Sequence, residues 1–287
     1  MASKYKLFII QPFELDKDPR YIDRYHSNEL PKEQRMRCDL IPGVKELLQD
    51  VDWDFHGGPH PPYCNLVPGN GEELNYLGAL RTKIVRDACE TGKYNGIVLL
   101  GGAEPGFAES REVGREFNIP VTSCAHSQMH IATMIGAKFT VIDFPESSCR
   151  LYYELVILHR MTHRCASIRN LDIHHAKPGQ EGIIINNERD KAIRGEPSEA
   201  IERAVRESIG AITEDGAEVI ILACSDSYWI KPFLRKQLFE RGWDIPVLDG
   251  YTCAIGLCRF YIDMGLNASN LMFPSKNPKA ARTKIVF

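Results

Sequence analysis

Short apolar runs alternate with amphipathic stretches along most of the chain, and this alternation is the main guide to its fold. The runs are rich in β-branched and aromatic residues, as buried strands are. They cover residues 4–10, 51–57, 94–102, 119–124, 138–144, 165–173, 217–225 and 245–250. The stretches between them have apolar residues at helical spacing and predict helices over 72–92, 105–118, 126–136, 197–216, 232–242 and 252–265. This order predicts an α/β fold in which mostly parallel sheets are flanked by helices.

Helix-end signals and polar segments refine this prediction. Gly92 is a natural C-cap for the first helix, and Ser198 is placed to cap the helix over 197–216. Residues 56–71 are rich in Pro and Gly and are predicted to form a loop, as is the polar segment 177–197. Long loops of this kind are often lids or oligomer contacts, and plain surface insertions are an equal alternative. The polar segment from Asp16 to Arg37 has no assignment.

An internal repeat suggests two similar lobes. Residues 96–136 and 218–265 both run strand, turn, helix, Ile-Pro-Val strand, turn and helix, and both end in glycine. We therefore expect two pseudo-symmetric lobes: lobe 1 over 1–124, with a C-terminal helix in 253–287 packing back on it, and lobe 2 over 125–252. Ligands of open parallel sheets bind beyond the carboxyl ends of the strands, so the active site is expected in the cleft between the lobes.

Composition excludes several classes of function. The formal net charge of -3 provides no basic surface for nucleic acid or an anionic membrane. No apolar run approaches the roughly 18 residues of a membrane span, and the N-terminal run is too short for a signal peptide. The nine cysteines contain no CxxC pair, so we expect neither a disulfide framework nor a metal site. A cytoplasmic protein that acts on a small molecule is the resulting expectation.

Cys224 has a special position among these cysteines. It follows the apolar run AEVIILA, at the carboxyl end of a predicted strand and the start of a predicted helix. Backbone N–H groups and the helix dipole at such a position are expected to lower a thiol pKa. The alternative is a small buried hydrophobic residue. The repeat places Gly101 at the equivalent position of the other lobe.

Four motifs carry a resemblance to a known family: GGAEPGFAESRE (101–112), IPVTSCAHSQMHIATMIGAKFTVIDF (119–144), GAEVIILACSDS (216–227) and IPVLDGYTCAIGLC (245–258). They resemble the aspartate/glutamate/hydantoin racemase superfamily, most closely its hydantoin and allantoin racemases. The resemblance implies two lobes with the site between them, no cofactor, deprotonation of a carbon acid and a homo-oligomer. In those racemases two cysteines act on opposite faces of the substrate, as inversion through a planar enolate requires.

The resemblance assigns Cys224 to the second family cysteine and Gly101 to the place of the first. Glycine at that place with a single cysteine is the pattern of the arylmalonate decarboxylases, where the cysteine protonates an enolate on one face. Isomerases of the family use one cysteine as a nucleophile. The expected function is a cofactor-independent racemase or isomerase with Cys224 as general acid/base. The alternatives are a single-cysteine decarboxylase or lyase, and an inactive small-molecule binding protein.

Other residues near the strand ends are candidates for the site. Glu104 and His126 are candidate second bases, and each has a structural alternative as a residue of the first helical turn. Asp226 has the same alternative and, as an anion, argues against a dicarboxylate substrate. The predicted substrate-binding residues are Gln11, Phe13, Gly101, Gly102, Ala103, Ser225, Asp226, Tyr251 and Thr252.

Overall fold

A computed structural model describes residues 3–15, 30–63, 67–144 and 146–274, without the side chains of 146–149. The described residues form two four-stranded parallel sheets. The first contains β1 (Tyr5–Ile10), β2 (Val51–His56), β3 (Gly96–Leu99) and β4 (Val121–Ser123), and the second contains β5 (Phe139–Asp143), β6 (Cys165–Asn170), β7 (Val219–Leu222) and β8 (Val247–Leu248). All eight predicted strands are present. The four central ones, β1, β3, β5 and β7, are almost completely buried, and strands buried on both faces are nearly continuous apolar runs.

The two sheets have the same topology. Strand order is β2-β1-β3-β4 in the first and β6-β5-β7-β8 in the second, and every neighbouring pair is parallel. The third and fourth strands of each sheet belong to the two copies of the sequence repeat. The structure therefore confirms the α/β fold, and it makes β3 the counterpart of β7. The lobe boundary at residues 124 and 125 stays a prediction.

The six predicted helices are joined by four that the sequence analysis missed. The predicted ones are α3 (Gly71–Glu90), α4 (Phe107–Glu116), α5 (Cys124–Ile135), α8 (Glu199–Thr213), α9 (Ile230–Glu240) and α10 (Gly250–Met264). The missed ones are α1 (Lys32–Arg35), α2 (Pro42–Leu48), α6 (Glu146–Leu158) and α7 (Ile185–Ile193). The prediction that 177–197 is a loop is therefore wrong over α7. This helix buries only a few residues, Ile185 and Ala192 among them, so its pattern is weak.

The helix ends also differ from expectation. Ser198 is the N-cap residue of α8, but its hydroxyl donates to Glu188 rather than accepting from the helix. The last helix begins after Asp249, whose carboxylate accepts the N–H of Thr252 at 2.8 Å, and it ends before Gly265 at φ +63°. These ends differ by one or two residues from those of the helix predicted over 252–265. The packing of a C-terminal helix from 253–287 on lobe 1 stays a prediction, and residues 275–287 lie outside the described residues. Helix α10 packs against β3, β4, α2 and α5.

Arg81 fixes the strand ends of the first sheet. This fully buried side chain of α3 donates to the carbonyl oxygens of Ile10 at 2.7 Å and Leu100 at 2.6 Å. It also reaches the carbonyl of Pro105 at 3.4 Å. A single guanidinium thus donates hydrogen bonds to the carbonyl oxygens at the ends of β1 and β3. It thereby positions the loop residues that follow these two strands.

No helix within the described ranges is both long enough and apolar enough to cross a bilayer.

Candidate active site

A cavity of about 100 Å³ lies at the carboxyl ends of the central strands of both sheets. Its lining includes Gln11 just after β1, Gly101 two residues after β3, Asp143 at the end of β5 and Cys224 two residues after β7. The pairing registers Ile10↔Leu99 and Ile142↔Leu222 make Gln11 the counterpart of Asp143. The same registers make Gly101 the counterpart of Cys224. The cavity thus lies at the place that the repeat and the parallel sheets predict.

Cys224 lines this cavity, but its environment differs from the predicted one. It precedes a three-residue 3-10 helix, Ser225–Ser227, and α9 begins only at Ile230. Burial raises the pKa of the thiol well above 9, and the negative charges of Asp226 and Asp143 raise it further. The expected lowering of this pKa is therefore wrong in sign, because desolvation outweighs the backbone N–H of Asp226. These surroundings favour the protonated thiol over the thiolate.

A buried ionic cluster surrounds the thiol. The guanidinium of Arg37 donates to the carbonyl oxygen of Ser225 and to the carboxylate of Asp226, and both charged side chains are almost fully buried. The other oxygen of Asp226 lies 3.4 Å from Nδ1 of His175. One ring nitrogen of His175, Sγ of Cys224 and one carboxylate oxygen of Asp226 lie within 4.8 Å of one another. Because a buried guanidinium already holds Asp226, the cluster suits proton transfer better than a divalent cation.

The backbone near Gly101 leaves no room for a side chain. Gly101 has φ +95°, and a Cβ atom there would lie 2.7 Å from Cγ of Pro12 and 3.1 Å from its Cβ. At Gly102 a Cβ atom would lie 2.5 Å from the carbonyl oxygen of Ala223, to which the hydroxyl of Tyr152 donates. Glycine at these two positions is thus required by the close approach of backbone and ring atoms.

Glu104 and His126 do not lie in this cavity. Both line an adjoining groove of about 1030 Å³ bounded by α3, α4, α5 and α6, which shares Leu74, Ala103 and Leu151 with the cavity. Glu104 accepts the hydroxyl of Ser123 and the N–H of His126, and its other oxygen lies 2.7 Å from Nε2 of His159. Burial, with the nearby His130, lowers the pKa of His126 to about 2. The sequence-based roles of both residues as second bases at Cys224 do not agree with this placement.

Most of the predicted substrate-binding residues do line the cavity. They are Gln11, Phe13, Gly101, Gly102, Ala103, Ser225, Asp226 and Tyr251. Gln11 is buried, and its side-chain oxygen has no hydrogen-bond partner in the described part of the chain. Thr252 was also predicted to bind substrate, but it does not line the cavity. Its hydroxyl donates at 2.6 Å to Asp249, the N-cap residue of α10.

Both long loops contribute to the cavity wall. Val67, Pro68 and Gly69 come from the predicted loop 56–71, and Lys177 begins the segment 177–197. The ammonium of Lys177 lies 3.4 Å from the position of a Cβ atom at Gly69, so the two segments touch. The placement favours a role at the site over a plain surface insertion.

Sequence reasoning missed five polar residues around this cavity: Arg37, Asp143, Tyr152, His175 and Lys177. The sequence offers a signal for Asp143 alone, since it lies at the end of the apolar run 138–144 much as Gln11 follows the run 4–10. Arg37 ends the polar segment that had no assignment, of which residues 16–29 lie outside the described ranges.

Comparison with known proteins is consistent with this geometry. Residues 73–258 match the family described as Asp/Glu/Hydantoin racemase. A hydantoin racemase of a Pseudomonas species is 26% identical over 190 residues, which are 65% of this chain and 67% of that protein. A hydantoin racemase of Rhizobium meliloti is 24% identical over 168 residues, 58% of this chain and 60% of that protein.

Solved structures share the fold at low identity. Allantoin racemase from Klebsiella pneumoniae has a TM-score of 0.67 and 18% identity, covering 96% of this chain and 95% of that one. A glycine-to-cysteine mutant of arylmalonate decarboxylase has a TM-score of 0.54 and 12% identity, covering 90% and 93%. The family match covers the first copy of the repeat and most of the second, and it includes Gly101 and Cys224. This chain belongs to the Asp/Glu/hydantoin racemase family.

Proposed function

We propose that the chain is a cofactor-independent racemase or epimerase that acts on an activated carbon acid: a hydantoin, allantoin, or a ureido or amino-acid derivative. The observation that carries the proposal is the position of Cys224, whose thiol lines the cavity beyond β7. The family match and the hydantoin racemase relatives support the same reaction class. Self-association into a homo-oligomer stays a prediction.

Inversion requires proton exchange on both faces of the carbon, which we assign to Cys224 on one face and to solvent on the other, and it requires donors that hold the resulting enolate. Removal of a proton next to a carbonyl places negative charge on oxygen, so donors at that oxygen lower the barrier. Tyr251 and Lys177 bring potential donors to the cavity lining, whereas the Tyr152 hydroxyl is already bonded to the carbonyl oxygen of Ala223. The buried aromatic and apolar side chains around them limit access of water, which strengthens each electrostatic contact.

A single-cysteine decarboxylase is the second candidate, and the geometry of Gly101 favours it. The crowding of Gly101 by Pro12 leaves no space for a second thiol at the position equivalent to Cys224. In this reaction the C–CO₂⁻ bond of a substituted malonate breaks, CO₂ leaves and its electron pair forms an enolate. The Cys224 thiol then donates its proton to carbon, and the thiolate regains a proton from solvent. A raised thiol pKa suits this donor role.

Proton NMR in D₂O separates these functions. Wild type and Cys224→Ala are compared over hydantoins, allantoin, ureido acids and substituted malonates. Loss of both the α-proton signal and the optical rotation supports racemisation. Release of CO₂ with a singly deuterated, optically active product supports the lyase. Turnover that survives in Cys224→Ala refutes both. If a ligand binds without turnover, and with the same affinity in wild type and Cys224→Ala, the chain is a binding protein.

A further inference from the structure

We propose that His175 is the proton acceptor for the Cys224 thiol, held in place by Asp226, so that the two side chains generate a thiolate as a pair. This inference deepens the proposed function and rests on it, because it assigns how the acid/base group of that site acquires its basic form. His175 acts through Cys224 and is thus a positioning and proton-holding residue.

The geometry places an imidazole beside the thiol. His175 lines the same cavity, and its ring packs at 4.7 Å, edge to face, against that of buried Phe144. A ring nitrogen lies within 4.8 Å of Cys224 Sγ, which is direct reach after a small side-chain rotation or contact through one water. Nδ1 lies 3.4 Å from the Asp226 carboxylate, which orients the ring. The thiol, imidazole and carboxylate thus lie within 4.8 Å of one another, and an activated nucleophile or base has the same three kinds of group in contact.

The charges around the pair explain why an acceptor is needed. Asp226 and Asp143 both oppose ionisation of the thiol. Arg37 offsets one of these charges through its ion pair with Asp226. The other titratable groups of the lining are Lys177, Tyr152 and Tyr251. With His175 protonated, the thiolate gains a neighbouring positive charge, and the pair as a whole stays neutral.

The proton balance is simple. The S–H bond of Cys224 breaks and an N–H bond forms on His175, which yields a thiolate and an imidazolium. The thiolate then removes the substrate's α-proton and becomes a thiol again, which leaves an enolate and the imidazolium. Water donates a proton to the opposite face of the enolate, and the imidazolium releases its proton to the resulting hydroxide, so both side chains regain their starting state and no other reactant is consumed.

Alkylation of Cys224 by iodoacetamide tests the pair without any substrate. The rate for the Cys224 peptide is followed by mass spectrometry from pH 5 to 11 in wild type, His175→Gln and His174→Gln. Loss of the acceptor is expected to move the midpoint of the rate–pH curve upward by at least about one pH unit, a tenfold lower rate at pH 7. His174 is a matched control, because its ring lies near Asp172 and Gly182 outside the cavity lining.

The shape of the curve separates proton transfer from a structural effect. A change in access to the thiol alters the plateau at high pH and leaves the midpoint in place. A midpoint that is unchanged in His175→Gln, or that moves equally in His174→Gln, overturns the proposal. A shifted midpoint in a protein that turns over no carbon acid supports the pair and refutes only the proposed function.

Discussion

Substitution of Gly101 by alanine tests the most specific structural difference between the two halves of the site. Alanine at φ +95° has a sparsely populated backbone conformation, which costs on the order of 1–3 kcal/mol. Its methyl group would also meet the ring of Pro12 at 2.7, 3.1 and 3.2 Å, and crowding of this kind costs about 1–3 kcal/mol. The free energy of unfolding should therefore fall by about 2–6 kcal/mol.

The matched control is Gly242→Ala. Gly242 has a similar φ of +86°, and a Cβ atom there has no neighbour within 4 Å. Only the backbone contribution of about 1–3 kcal/mol applies to it, so the difference between the two variants isolates the contact with Pro12. Urea unfolding followed by circular dichroism measures both free energies. The excess cost at Gly101 should shrink when Pro12→Ala removes the ring. Equal costs for the two glycines would refute the reasoning.

Two further predictions concern buried charge. Arg37→Met leaves the Asp226 carboxylate buried without its guanidinium, and it should lower the free energy of unfolding by about 3–5 kcal/mol in urea titrations. Lys83→Met, which breaks an exposed ion pair, should lower the free energy of unfolding by no more than about 1 kcal/mol. Equal effects of the two substitutions would contradict the burial of the Arg37–Asp226 pair. His126 has a pKa lowered from 6.5 to about 2, so the unfolded chain binds a proton there that the folded one does not. The stability that the neutral His126 side chain contributes is fully present above pH 6.5. Below that pH the free energy of unfolding should fall by up to about 1.4 kcal/mol per pH unit. His126→Asn should flatten this slope in unfolding titrations between pH 4 and 6.5. The same substitution at the exposed His163 is the control and should leave the slope unchanged. An unaltered slope in His126→Asn would refute the attribution of the pH dependence to His126.

The sequence predicted the strands and the repeat because both depend on local patterns. A strand buried on both faces is an apolar run in any context, and the order of elements survives where identity is lost. The same order located the carboxyl ends of β1, β3 and β7. It thereby predicted Gln11, Gly101 and Cys224 as members of one site.

Side-chain direction and loop path could not be predicted in this way. Glu104 has φ +54°, and this turn directs its carboxylate to Ser123 and His159 rather than to the cavity. Periodicity carries no information about such a turn. His175 and Arg37 come from irregular segments, and they reach the thiol through long-range packing. The pKa of Cys224 depends on those contacts, which is why position alone gave the wrong sign.

The contact between Gly102 and Ala223 has a mechanical consequence. These residues follow β3 and β7, and they approach so closely that a single methyl group at Gly102 would collide with the carbonyl oxygen of Ala223. The hydroxyl of Tyr152 bonds to that same oxygen and would be crowded as well. The junction therefore holds the segments after β3 and β7 at a separation that no side chain at position 102 could widen without displacing one of them. The spacing of the two halves of the site is thus set by main-chain atoms and the Tyr152 hydroxyl rather than by an exchangeable side chain at that point.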